Sequence, residues 1–208
     1  MCDRIIRTYI SPSFTEDKLE NPTLDDLIDV FEDRIKNWVI EPAKCLVTDE
    51  TFQVAGFCLL LTYFEGIWPY IQGEESKGKS KRFFIEAFVD VFRPSGLSVG
   101  VMKKVARVLY GDARCGFFHD GMFRDHIFFK RLDKGELYIT ERNKKIESIV
   151  VDSSRFCKAV ERHFTKLIAN LREPSCVEQR TVFQNMCRRR WDWEGEARHI
   201  GMANPLKK

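Results

Sequence analysis

The sequence is poor in the features that would announce a class outright. No two of its seven cysteines form a CxxC pair, and they are scattered over positions 2, 45, 58, 115, 157, 176 and 187. An odd number in that arrangement argues for reduced thiols and against a disulfide framework or a zinc site. Of the four histidines, none stands at metal-ligand spacing from a second His or Cys, so no metal and no organic cofactor are expected. A net charge of +3 over 208 residues is too small to mark a nucleic-acid binder by bulk attraction, so any basic surface must be local. The longest apolar run, Val54 to Phe64, is broken by Gly56 and Thr62 and falls short of the ~18 residues that a membrane span needs. Met1-Cys2-Asp3-Arg4 lacks the apolar core of a signal peptide. There is no internal repeat and no low-complexity tract. These absences predict a soluble, cytoplasmic single domain over 1–208 with no membrane partner.

What is present is mostly helical periodicity. After an irregular arm over residues 1–22, Thr23 and Asp26 form a capping pair. Leu24, Leu27, Ile28, Phe31, Ile35 and Trp38 then recur at helical spacing up to about Ile40, where Glu41-Pro42 predicts a stop. Residues 51–68 are apolar nearly all round, which places that helix at the centre of a bundle. A third stripe runs from Phe83 to Phe92 and ends at Pro94-Ser95-Gly96. A fourth runs from Val99 to Leu109, with Lys103, Lys104 and Arg107 turned away from it. The helical core therefore covers 23–120. The period then changes: Ile127–Lys130 and Leu137–Ile139 flank Asp133-Lys134-Gly135 as a hairpin signal, and Ile149-Val150-Val151 adds a third short strand. This small antiparallel insert occupies 126–151. From Asp152, an N-cap candidate, Phe156, Val160, Phe164, Leu167 and Leu171 mark a long helix over 152–173, followed by Pro174. Residues 176–208 hold a last helix, with Arg188-Arg189-Arg190-Trp191 near its end, and a loose tail from Glu194. The expectation is a mainly α bundle of four to five core helices carrying a small β insert.

Two constellations carry chemistry. Arg114 and His119 lie in Ala113-Arg114-Cys115-Gly116-Phe117-Phe118-His119-Asp120-Gly121. A guanidinium grips a pair of phosphate oxygens, and an imidazole gives or takes a proton near neutral pH. Five residues along an ideal helix separate side chains by about 140°, so the heads share a groove only if the backbone bends, for which Gly116 offers a place. The second is Gly73-Glu74-Glu75-Ser76-Lys77-Gly78-Lys79-Ser80, which fits the P-loop spacing literally. A helical pattern precedes it where a buried strand is needed, two carboxylates face the phosphate position, and no βαβ series exists to build a parallel sheet. A nucleotide-binding P-loop is therefore the lesser alternative. Lys103, Lys104 and Arg107 could track a nucleic-acid backbone or form a solvated face. Arg188–Arg190 with Trp191 and Trp193 could bind RNA or an acidic partner, with Trp191 equally suited to anchoring the core.

A helical array with Arg114-Cys115-Gly116-Phe117-Phe118-His119 at the end of a late helix resembles the HEPN superfamily, whose signature separates an Arg from a His by four to six residues. The resemblance covers roughly residues 20–175 as architecture and 114–119 as a motif. It implies an all-α fold that pairs two-fold, with both signature motifs facing a shared cleft. It implies a metal-independent ribonuclease of the kind found in toxin–antitoxin, phage-defence or RNA-processing systems, partnered by RNA and by an antitoxin or another protein. Arg114 would hold the scissile phosphate, His119 would act as acid or base, and the ribose 2′-OH would attack to leave a cyclic phosphate. Many active members carry Asn, His or Asp directly after the Arg, whereas Cys115, a poor donor, stands here. That departure keeps a non-catalytic interaction module of the same fold as the alternative.

Overall fold

The computed structural model describes residues 9–124 and 126–191. The C-terminal tail, with Trp193 and His199, lies outside the described residues, as do positions 1–8 of the N-terminal arm. Helix α1 (Leu24–Ile35) opens on the expected capping box: the Thr23 hydroxyl accepts from the Asp26 amide, and the Asp26 carboxylate accepts from the Thr23 amide. The expected stop at Glu41-Pro42 is instead a change of helical pitch. Residues Lys36–Ile40 form a π-helical stretch in which the Glu41 amide bonds the Lys36 carbonyl, and α2 (Glu41–Leu46) follows with Pro42 in its first turn. Proline has no amide to give and clashes with the preceding turn. Restarting the helix around it lets the chain continue without a sharp turn.

The central element is α3 (Gln53–Gln72), exposed only at Ala55, Thr62 and its terminal Gln72. It extends past the predicted residue 68, with Pro69 carried inside the last turn. By length and composition this helix could cross a membrane, but 56% of its most apolar window is buried against the rest of the fold. The chain encloses α3 with α4 (Ser80–Phe92), α7 (Ser153–Arg172) and α8 (Val177–Trp191). Their phenylalanines meet largely edge-on: Phe64–Phe84 at 5.1 Å, Phe57–Phe156 at 4.9 Å, and the more tilted Phe92–Phe156 at 4.8 Å. One hydrophobic cluster runs from Leu19 to Cys187. Each fully buried side chain in it contributes roughly 1.5–3 kcal/mol against exposure.

The sheet differs from the antiparallel expectation. It is mixed, in the order β1 (Ile127–Phe129), β3 (Lys145–Val151), β2 (Leu137–Arg142), with β1 parallel and β2 antiparallel to β3. The hairpin turn falls at Asn143-Lys144, both at positive φ (52° and 63°), the left-handed pairing that matches strand twist. Asp133-Lys134-Gly135 instead belongs to the crossover between β1 and β2. Strand β3 takes the centre because its Ile149 and Val151 are fully buried, and a strand covered by core is the one best paired on both edges. Asp152 then caps α7 as expected, accepting from the Arg155 amide, and also accepts from the Leu132 amide of the crossover.

At Gly56, α3 packs onto α2 with no room for a side chain: a Cβ there would lie 2.7 Å from a Val47 methyl and 2.9 Å from the Ala43 carbonyl oxygen. Gly56→Ala should therefore destabilise the fold by about 2 kcal/mol in urea titrations, although alanine is the better helix former by about 1 kcal/mol. A stability gain would show that the two helices can move apart.

Candidate functional site

Arg114 and His119 lie at the end of a continuous helical rod. Helix α5 (Val99–Val108) runs into a second π-helical stretch, Leu109–Cys115, and then into α6 (Gly116–Asp120). π-Helical turns inside α-helices are frequent at functional sites. The expected bend at Gly116 does not occur: its φ and ψ, −57° and −50°, are ordinary right-handed helix. Its lack of a side chain serves packing instead, because a Cβ would meet the Met122 carbonyl oxygen at 3.0 Å where the chain doubles back after Gly121.

The Arg114 guanidinium is fixed on three sides. Its Nη2 donates to Glu65 Oε2 of α3 at 3.0 Å. Its Cζ lies 5.6 Å from the Tyr110 ring and 5.4 Å from the Phe118 ring. Burial pushes the Tyr110 phenol above its ordinary value. A shallow open depression of about 260 Å³ forms over this group, lined by Thr62, Glu65, Gly66, Ser76, Phe118 and, from α8, Arg190. Arg190 donates to Ser76 Oγ at 3.1 Å, pairs with Glu75 at 3.4 Å and lies over the Tyr70 ring. His119 is exposed beyond the depression, and among the described residues its side chain has no hydrogen bond or ion pair. With the helix unbroken, Arg114 faces Phe118 one turn on and His119 points to a neighbouring face. The depression is lined by Arg114 and not by His119. Phe118 and Met122 beside them are 56% and 66% exposed.

The remaining basic positions divide. Lys104 is held by Glu141 at 2.8 Å and by the Lys144 carbonyl, whereas Lys103 and Arg107 are exposed. Trp191 anchors α8: its Nε1 donates to the Tyr70 hydroxyl at 3.0 Å, and Arg34 lies 4.6 Å over its ring. The P-loop lookalike is a connection between α3 and α4, with Lys79 Nζ tied to Glu74 at 3.0 Å and no strand entering it. The six described cysteines are free. Burial raises Cys58 to about 12 and Cys157 to about 11, so both stay protonated thiols at neutral pH.

The sequence reading passed over a second site. His163, one of the four histidines without metal-ligand spacing, lies in a relay: its Nδ1 is 2.7 Å from the Tyr63 hydroxyl and its Nε2 is 3.1 Å from Asp90 Oδ2. Burial pushes the Tyr63 phenol well above its ordinary value, and the hydrogen bond to His163 holds the Asp90 carboxyl below its own. The faint signal in the sequence was spacing: Arg162, His163, Lys166 and Asn170 recur on one stripe of α7 beside its apolar face. His126 is exposed ahead of β1. Among the described residues, no three His, Cys, Asp or Glu side chains gather as a metal site. No protein-family model matches the chain, and no curated protein or solved structure matches it either.

A depressed folded-state pKa means that the Asp90 interaction is complete above the ordinary carboxylate pKa, about 4, and is lost as pH falls below it. Asp90→Asn should therefore be less stable than wild type by about 1 kcal/mol at pH 7, screening at the half-exposed carboxylate included. The gap should close toward pH 3. Urea melts at the two pH values check this, and a gap undiminished by acid would mean that the carboxylate charge does not stabilise the relay.

Proposed function

We propose that the chain is a HEPN-like, metal-independent endoribonuclease that works as a cytoplasmic homodimer. The observation that carries this reading is the state of the two signature groups: a guanidinium pre-oriented by Glu65, Tyr110 and Phe118 at an open depression, and, five residues on, an exposed imidazole with no hydrogen bond or ion pair among the described residues. Glu65 takes one N–H of Arg114, and the rest of the fork remains for a phosphate. Because the helix keeps Arg114 and His119 on different faces, the cleft is composite, with the guanidinium of one copy meeting the imidazole of the other. The exposed Phe118 and Met122 supply apolar contact for that pairing.

In this cleft the ribose 2′-oxygen attacks phosphorus as its proton passes to a base. The bond from phosphorus to the 5′-oxygen breaks, and that oxygen takes a proton as it leaves. The products are a 2′,3′-cyclic phosphate and a 5′-hydroxyl. Arg114 binds the charge that builds on the phosphoryl oxygens, and His119 carries one of the two proton transfers. Positioning and proton transfer supply the rate. An antitoxin or other protein partner would act by covering the same face.

A second reading has its own support. Glu65 neutralises Arg114, and Cys115 follows the arginine where a strong hydrogen-bonding side chain would assist. On that reading the exposed Phe118 and Met122 serve a non-catalytic interaction module that docks a partner or holds RNA uncut.

RNA incubated with the protein and a chelator separates the two. Cleavage should leave cyclic phosphate ends and fall at least about 100-fold in Arg114→Ala and in His119→Ala, with circular dichroism unchanged. Mixing the two inactive variants should restore part of the activity, since each mixed dimer rebuilds one cleft. Equal cleavage by variants and wild type would exclude the enzyme, and absence of recovery on mixing would place both groups in one chain.

A further inference from the structure

Apart from the Arg114 depression, the fold contains a larger cavity of about 420 Å³ between α4, α7 and α8, a volume in the range of small-molecule sites. The Asp90–His163 end of the buried relay opens into it. Its charge is unbalanced: Arg93, Arg162 and Lys166 line it against the single carboxylate of Asp90. That carboxylate is already engaged, by His163 at 3.1 Å and by Arg93 at 3.4 Å. Arg162 reaches out of the cavity to Glu136 at 3.3 Å, while Lys166 is exposed and ion-pairs with no carboxylate among the described residues. Lys166, which lies within electrostatic reach of Asp90, is therefore the lining cation left without an ion pair among the described residues.

The rest of the lining is of a different character. Ile71, Val91, Ala159 and Leu167 give it aliphatic lining, and Asn170 and Gln179 add amides that each offer a donor and an acceptor. Inorganic phosphate would engage the cations and leave that lining wet. A purely apolar ligand would leave Lys166 at its rim unengaged. A ligand carrying one phosphate and a planar body with hydrogen-bonding edges satisfies both halves, since side-chain amides pair naturally with nucleobase edges.

We infer that this cavity is a binding site for a nucleoside monophosphate, with the phosphate on Lys166 and on Arg162 drawn in from Glu136, the base on the aliphatic side chains, and its edge facing Asn170 and Gln179. His163, locked between Tyr63 and Asp90, holds α3, α4 and α7 in the arrangement that keeps the cavity open. The site is separate from the Arg114 depression and shares no lining residue with it.

Isothermal titration of the full-length protein with AMP, GMP, CMP and UMP, and with adenosine and inorganic phosphate, tests the assignment. At least one monophosphate should bind saturably, and adenosine and phosphate should each bind at least about tenfold more weakly. Lys166→Glu should weaken the nucleotide by about tenfold or more at low salt while leaving the melting temperature of the free protein unchanged. Arg114→Ala should bind as wild type does, which separates this site from any nucleotide held at the other depression. No saturable binding by any of the four nucleotides would overturn the proposal. So would binding indifferent to Lys166→Glu, or phosphate binding as tightly as the nucleotides, which would mark a simple anion site.

Discussion

A twenty-residue helix with apolar side chains on nearly every face cannot be left at a surface, and much of this structure follows from enclosing α3. Helices α2, α4, α7 and α8 cover it in turn, and the aromatic cluster around Phe57 and Phe64 fills the gaps. The enclosure also distributes polar chemistry. Three consecutive residues of α3 point three ways: Tyr63 to His163 on α7, Phe64 into the rings, and Glu65 to Arg114. A single buried rod thus orients groups at two separate openings. A shift of α3 along its axis would disturb both, and the close approach at Gly56 is what resists that shift.

The two π-helical stretches show how the chain handles local conflict. One precedes Pro42, where ordinary helical bonding would fail, and the other carries Arg114 in its last turn. In each, the wider turn sends the following side chains in new directions without interrupting the rod. At the second stretch this lets Arg114 lie over Phe118 and reach Glu65 while leaving His119 outward. On the reading proposed above, pairing between copies is what would bring cation and imidazole together.

The two openings differ in kind. The depression at Arg114 is shallow, flanked by exposed Phe118, and suited to an extended ligand or a second protein surface. The cavity at Asp90–His163 is deeper and mixes aliphatic and cationic lining, as a small-ligand site does. Buried relays of this type are commonly structural, each member satisfying the next. Here two members, Asp90 and His163, also border open space.

Much of the helical layout could be read directly. Thr23 with Asp26, the four- and three-residue steps from Phe156 to Leu171, and Asp152 as a cap all act within one or two turns, so local spacing specifies them. The sheet was misread because pairing is a long-range choice. Asp133-Lys134-Gly135 is an acceptable turn, but only burial of Ile149 and Val151 decides that β3 lies between the other two strands. Gly116 was misread for a related reason: glycine permits a bend and permits close approach, and only the returning Met122 carbonyl shows which is used. By itself the sequence determined most of the helices, the Thr23 and Asp152 caps, and the one apolar rod at the centre. The tertiary structure alone decided that Glu65 meets Arg114 and that Tyr63, His163 and Asp90 meet each other. Those contacts join residues dozens of positions apart, and no local period encodes a partner that arrives only when the core closes.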